Sequence, residues 1–251
     1  MTAKRRITLI VYAPELIEND GRPLAVVHGM ERAFPGLRLE WTTSAEGERT
    51  RLAARDAWLA QQQLKGTFPL LHNGNYSEFV AVDGWEGPAA SSSGGQAQLE
   101  VHGELPQTAE AFAAAADVLA GVAEGARAYW GQATPSRAGL EIARQTKNWT
   151  ANPQPPPRGL PALKPALDIP SPETPHRLGW LNYWSAAAAK VVGFPDPARD
   201  AEWLSRARRT TGGWVVRLTD TPLDLDIPAH LEALLRAYER FPAIGGRVTA
   251  R

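Results

Sequence analysis

Apolar positions recur along this chain in two rhythms, one of a sheet and one of a helix. Ile7, Thr8, Leu9, Ile10 and Val11 are apolar or β-branched without interruption, as expected of a central strand covered on both faces. After the Asn19-Asp20-Gly21 turn, Val26, Val27, Met30 and Phe34 fall at helical spacing until Pro35-Gly36, predicting a helix over residues 23–34. Leu37, Leu39 and Trp41 then alternate with Arg38, Glu40 and Thr42 as a second strand. Residues 45–66 are polar and rich in Ala and Gln, with Leu52, Trp58 and Leu59 as scattered anchors, so a short surface helix is expected. From Phe68 the pattern turns to strands: residues 68–71 and 79–82 flank Asn73-Gly74-Asn75, a hairpin signal, and Leu99 and Val101 alternate with Gln98, Glu100 and His102. Thr108 then suits an N-cap, and Phe112, Ala115, Ala116, Leu119, Val122, Ala123, Ala126 and Trp130 form a long apolar stripe ending at Gly131. Residues 136–144 suggest a shorter helix.

The last third is the most patterned. Leu181, Trp184, Ala188 and Val191 lie at helical spacing, predicting a helix that begins at Gly179 and stops at Gly193 and Pro195. Trp214, Val216 and Leu218 alternate with Val215, Arg217 and Thr219 as a strand behind Gly212-Gly213. Pro228 opens a final helix with Leu231, Leu234, Leu235 and Tyr238 on one side. Between Ala151 and Pro175 nine prolines in 25 residues forbid regular ladders. Leu160, Leu163, Leu167 and Ile169 inside that stretch point to an arm lying across a surface, since a solvated linker has little use for them. The expected fold is α+β: a mixed, mainly antiparallel sheet with helices packed on one face, in one domain spanning residues 1–251 with a proline-rich arm at 151–175. Its two halves loosely echo a βαβ order.

Composition narrows the function classes. At 251 residues with 43% hydrophobic and 22% charged positions, this is the balance of a soluble globular chain with a sizeable core. Lys and Arg equal Asp and Glu at 27 each, so no global field steers the chain to nucleic acid or an anionic membrane. Cysteine is absent, which excludes disulfides, thiolate metal sites and a cysteine nucleophile, and fits a cytoplasmic location. Lys4, Arg5 and Arg6 precede the apolar run of residues 7–13 as in a signal peptide, but the run is short and Pro14-Glu15 follow it, so a buried strand is expected there.

Chemistry is sparse. The five histidines, His28, His72, His102, His176 and His230, include no pair at i,i+3 or i,i+4, and no phosphate loop, dinucleotide fingerprint or nucleophile elbow is present. No catalytic residue, cofactor or metal is expected. Asp220, Asp224 and Asp226 form the sharpest polar cluster. They could bind a hard cation, form a solvated turn that favours the following helix dipole, or offer an acidic contact surface to a basic partner. Most of the nine tryptophans sit on apolar stripes, but Trp149, beside the proline arm, and Trp203 are candidates for exposed binding anchors.

The start at Gly179-Trp180-Leu181-Asn182-Tyr183, the Gly212-Gly213-Trp214-Val215-Val216 strand, Pro222 with the acidic residues after it, and the Leu231 to Tyr238 helix resemble the C-terminal half of bacterial type VI secretion immunity proteins of the Imm52 kind. The match covers about a quarter of the chain, its motifs are structural, and the proline arm is longer than that family suggests. The resemblance implies a cytoplasmic, non-enzymatic antitoxin that binds and neutralises a cognate effector toxin, often a nuclease, with Trp149, Trp203, Asp220, Asp224 and Asp226 as candidate contacts. An alternative is an enzyme or small-ligand binder whose site is assembled from dispersed residues such as His72, Asp83 and Glu104. A structural subunit of a larger assembly is a third reading, which self-association would distinguish.

Overall fold

The structure is a computed structural model describing residues 6–63, 67–146 and 155–248. Ten strands form one sheet: β1 (Arg6–Pro14), β2 (Trp41–Thr43), β3 (Arg49–Arg51), β4 (Phe68–His72), β5 (Ala81–Gly87), β6 (Gln98–Pro106), β7 (Trp130–Pro135), β8 (Leu181–Ser185), β9 (Ala207–Arg209) and β10 (Gly213–Arg217). Their spatial order is β3-β2-β4-β5-β6-β1-β7-β8-β10-β9. Every pairing is antiparallel, so the fold is α+β as expected; β1 and β2, joined by α1, are not neighbours, and β6 and β7, joined by α3, run parallel to each other on either side of β1.

The uninterrupted apolar run places β1 at the centre, between β6 and β7. Ile7, Leu9, Val11 and Ala13 are fully buried on one face. That face is covered by α3 (Ala109–Ala126), whose first turn is capped as expected by Thr108, its hydroxyl accepting from the Ala111 amide at 3.2 Å. The helix ends where Arg127 turns left-handed, so Trp130 belongs to β7 and not to the helical stripe. Beside α3 lies α1 (Arg22–Ala33), and α2 (Arg55–Gln63) follows against α1 and β4. The α1–α3 crossing is made by glycines: a Cβ at Gly121 would sit 2.5 Å from the Gly29 carbonyl oxygen, and one at Gly125 2.6 Å from the Val26 amide. At the start of α1, buried Arg22 pairs with Asp20 at 2.5 Å and donates to the carbonyls of Pro14, Glu15 and Ala126, tying β1, α1 and α3 together.

Residues 179–185 depart from expectation. The helix predicted from Gly179 is a strand, β8, with the helix α5 (Ala186–Val192) only beginning after it. Leu181, Asn182, Tyr183 and Trp184 are all buried, and a strand covered on both faces shows no alternation that would separate it from a helix. Ser185 is the cap that marks the change, its hydroxyl accepting from the Ala188 amide at 3.1 Å. The expected second strand likewise shrinks to β2, with Leu37 and Leu39 buried ahead of it.

Helices do not keep to one face. On the opposite face Trp184 meets Phe194 and Phe241 edge-on, at ring-centroid distances of 5.3 and 5.1 Å, which brings α7 (Pro228–Arg240) and the loop before α6 (Ala201–Leu204) over the β8–β10 end. The proline-rich stretch, described from residue 155, lies along the same side as an arm: Leu160, Leu163 and Ile169 are buried, and the Leu163, Lys164 and Gly94 amides bond to the Gln145, Gly245 and Ile169 carbonyls at 2.9–3.0 Å. The remaining helix, α4 (Ser136–Ala143), follows β7. Both edges of the sheet are three-residue strands rich in arginine. In β3, Arg49 lies 3.7 Å from the Tyr76 ring centre and Arg51 pairs with Glu40 at 2.8 Å; in β9, Arg208 pairs with Asp117.

Candidate functional site

Where the arm reaches the middle of the sheet it leaves part of that face open. The antiparallel register sets Asp83, His102 and Ile10 in one cross-strand row and Trp85, Glu100 and Tyr12 in the next. Glu100 Oε1 accepts from the Tyr12 hydroxyl at 3.2 Å and lies 2.7 Å from His102 Nε2. The Trp85 indole stacks on the His102 ring at 4.0 Å between centroids and remains 48% exposed. Beneath, Tyr12 stacks on Trp130 at 4.4 Å, and His176 from the arm closes both rings at 4.8 and 4.6 Å. An open-sided cavity of about 260 Å³ results, lined by Tyr12, Trp85, Glu86, Glu100, Ala166 and His176 among others.

Two large apolar side chains belong to the segments that meet this cavity. The Leu16 amide donates to Glu86 Oε1 at 2.7 Å, which draws in the loop carrying Ile17, 67% exposed, and Ala166 of the lining precedes Leu167, 58% exposed. Trp85, half-exposed above the Tyr12 and Trp130 rings, is an aromatic of the type enriched at interaction sites.

The electrostatics follow from burial. Burial pushes the Tyr12 phenol above its ordinary value, and the Glu100 charge adds to this against the opposing charge of Arg177. Asp83 is raised by burial foremost and by the Glu104 charge, against His102; it makes no hydrogen bond or ion pair with the described residues. Glu104 instead pairs with Arg6 at 3.2 Å. Burial, helped by Arg177, pushes His176 down to about 3, so the ring is neutral at physiological pH.

That displacement predicts a pH dependence. His176 is faced by Arg177, the Tyr12 and Trp130 rings and the Ser93 hydroxyl, 3.2 Å from Nε2. Unfolded, it takes a proton near 6.5; folded, it resists protonation down to about 3, so the unfolded state binds more protons throughout that window. Stability therefore falls as pH drops below 6.5, by up to about 1.4 kcal/mol per pH unit from this group. Urea midpoints at pH 7 and pH 5 should differ in the wild type, and the difference should shrink in His176→Gln.

The residues singled out from sequence do not form this site. Trp149 lies outside the described residues. Trp203 is 4% exposed on α6, packed against Phe241, and offers no anchor to a partner; its run of charged neighbours concealed an inward-facing position. Asp220 is exposed and pairs with Arg206 at 3.2 Å. Asp224 Oδ1 accepts from the Asp226 amide at 3.0 Å, the local bond of a turn. Asp226 pairs with Arg158 and Arg137 at 2.6 and 2.5 Å, and the Arg158 hydrogen bond foremost holds its carboxyl below the usual range. Their partners differ, and among the described residues no group of three or more His, Asp or Glu could hold a metal ion. Of the dispersed set, His72 is buried against Thr43 and the Gly74 amide, both at 3.1 Å, with burial and then the Arg49 charge lowering its pKa. Asp83 and Glu104 do share the open face. Sequence reasoning missed Trp85, Glu100 and Tyr12. The signal was there in the Asp83-Gly84-Trp85-Glu86-Gly87 run, a tryptophan set among glycines and acids where no apolar stripe claims it.

Among the described residues no helix is long and apolar enough to cross a membrane. No curated protein matches the chain. The fold is similar to that of the Pseudomonas aeruginosa T6SS protein PA0821, with a TM-score of 0.56 at 14% identity over 96% of this chain and 76% of that one. The Imm52 kind suggested by the C-terminal motifs is a finer assignment than this likeness of fold carries. The profile of DUF5953, described as a domain of unknown function, matches residues 18–249, and the chain belongs to that family.

Proposed function

We propose that the chain is a non-enzymatic immunity protein that binds and neutralises a cognate effector toxin in the cytoplasm, with the open face around Trp85 as its docking surface. The observation carrying this reading is the half-exposed Trp85 beside the cavity it lines, an aromatic anchor of the kind that concentrates binding energy. The fold shared with a T6SS protein and the resemblance of the C-terminal motifs support the toxin as partner, and a nuclease is the expected class. The test is co-expression with the product of the adjacent gene. Wild-type chain should restore growth, and Trp85→Ala should weaken the complex about tenfold or more in a direct binding measurement. A neighbouring product that is harmless, or whose toxicity this chain does not relieve, overturns the reading.

One observation favours a second reading. The His102–Glu100 pair lies at a cavity that Glu100 lines, and a histidine–carboxylate pair at a cavity is what a small-ligand binder or acid–base enzyme would need. Turnover of a substrate by purified chain, abolished in Glu100→Gln, would favour it over neutralisation.

A further inference from the structure

We infer that the cavity beside Trp85 receives the guanidinium of an arginine side chain projecting from the partner. This rests on the reading that the open face docks a protein. The Glu100 side chain shares the cavity's face with Trp85, while Glu86, next to Trp85 in β5, alternates to the other face, and no lysine or arginine lines the cavity. Glu100 Oε1 is engaged by Tyr12 and His102, so the carboxylate is oriented by one oxygen and has no hydrogen bond to Oε2 among the described residues. Asp83, in the next cross-strand row from Trp85, has no hydrogen-bond or ion-pair partner among the described residues and extends the negative field along the strand. The neutral ring of His176 does not offset these charges, and Arg177 approaches from the Tyr12 side without lining the cavity.

Shape selects among cations. Trp85 is held flat by its stack on His102, leaving one indole face free for a planar group. A guanidinium can lie on that face while its N–H groups fork to a carboxylate, combining cation–π attraction with charge-assisted hydrogen bonds. An ammonium can do one of these well but not both, and a neutral side chain would seal the carboxylates without a donor.

The test uses the full chain and three capped peptides, Ac-Gly-Arg-Gly-NH2, its lysine analogue and its citrulline analogue, which keeps the shape of arginine without the charge. The readout is the Trp85 indole N–H resonance, assigned from its loss in Trp85→Phe. The arginine peptide should shift it saturably with a Kd on the order of 1–10 mM, weaken as salt rises, and lose at least fivefold in affinity in Glu100→Gln. No saturable shift, an equal shift from citrulline, or full binding by Glu100→Gln overturns the inference, and equal binding of lysine overturns the choice of guanidinium. Should Glu100→Gln fold poorly, Trp85→Ala gives the same test, read from the backbone amide resonances of the cavity-lining Gly87 and Ser92 in place of the lost indole signal. Growth protection separates this inference from the reading beneath it. Protection that persists undiminished in Glu100→Gln removes the arginine pocket and leaves neutralisation standing, whereas peptide binding by a wild-type chain that protects against no toxin does the reverse.

Discussion

Gly121→Ala should destabilise the chain by about 2–3 kcal/mol, and Gly121→Val should leave it largely unfolded. The sign is the informative part. In the interior of an exposed helix this change gains about 1 kcal/mol, because alanine is the better helix former. Here the new Cβ would lie 2.5 Å from the Gly29 carbonyl oxygen, backbone against side chain, with no rotamer to relieve the overlap. The helices α1 and α3 would have to part, loosening the buried Val26, Val27 and Met30 on one side and Val118 and Val122 on the other. Gly139→Ala in α4 is the control, since its nearest neighbour would be the Thr134 methyl at 3.9 Å. That variant should be neutral or gain up to about 1 kcal/mol, and urea unfolding of both against wild type checks the contrast.

Arg22→Met should cost about 3–5 kcal/mol, the range for breaking a buried ion pair from one side. The methionine keeps much of the apolar stem but leaves the Asp20 carboxylate without its guanidinium, held by the backbone amides of residues 17 and 22, and strands the carbonyls of Pro14, Glu15 and Ala126. Asp20 is held below its ordinary value by hydrogen bonds from Arg22 that outweigh the cost of burial. The stability this pair contributes is therefore present above the unfolded carboxylate value and lost as pH falls through the lower folded one. Arg51→Met, which breaks the exposed pair with Glu40, should change stability by less than about 1 kcal/mol. Equal losses in the two variants, read from urea midpoints, would show that Arg22 carries no special load.

Much of this architecture was legible because local signals agreed with tertiary placement. The doubly apolar run of β1, the Thr108 cap and Pro228 each mark an element that the fold keeps. Residues 181–185 were misread because burial on both faces erases the period of two, and Leu181, Trp184 and Ala188 then satisfy the helical spacing by coincidence. The candidate site was harder to see. Glu100, Tyr12 and Trp85 come from three strands whose order along the sheet is not their order along the chain, and only the register makes them neighbours. Asp220, Asp224 and Asp226 are close in sequence, which made them conspicuous, yet each is committed to its own arginine or turn.

The arginines at the two rims of the sheet have a consequence for how any other protein can approach. A backbone that tried to lengthen the sheet at β3 or β9 would gain a ladder of only three residues, and its own side chains would crowd Arg49 and Arg51 or Arg208 out of their present contacts. Short, charged borders of this kind disfavour edge-to-edge pairing between copies. On the proposed reading a partner is met on the broad side of the sheet, where side chains and not main-chain hydrogen bonds decide what fits.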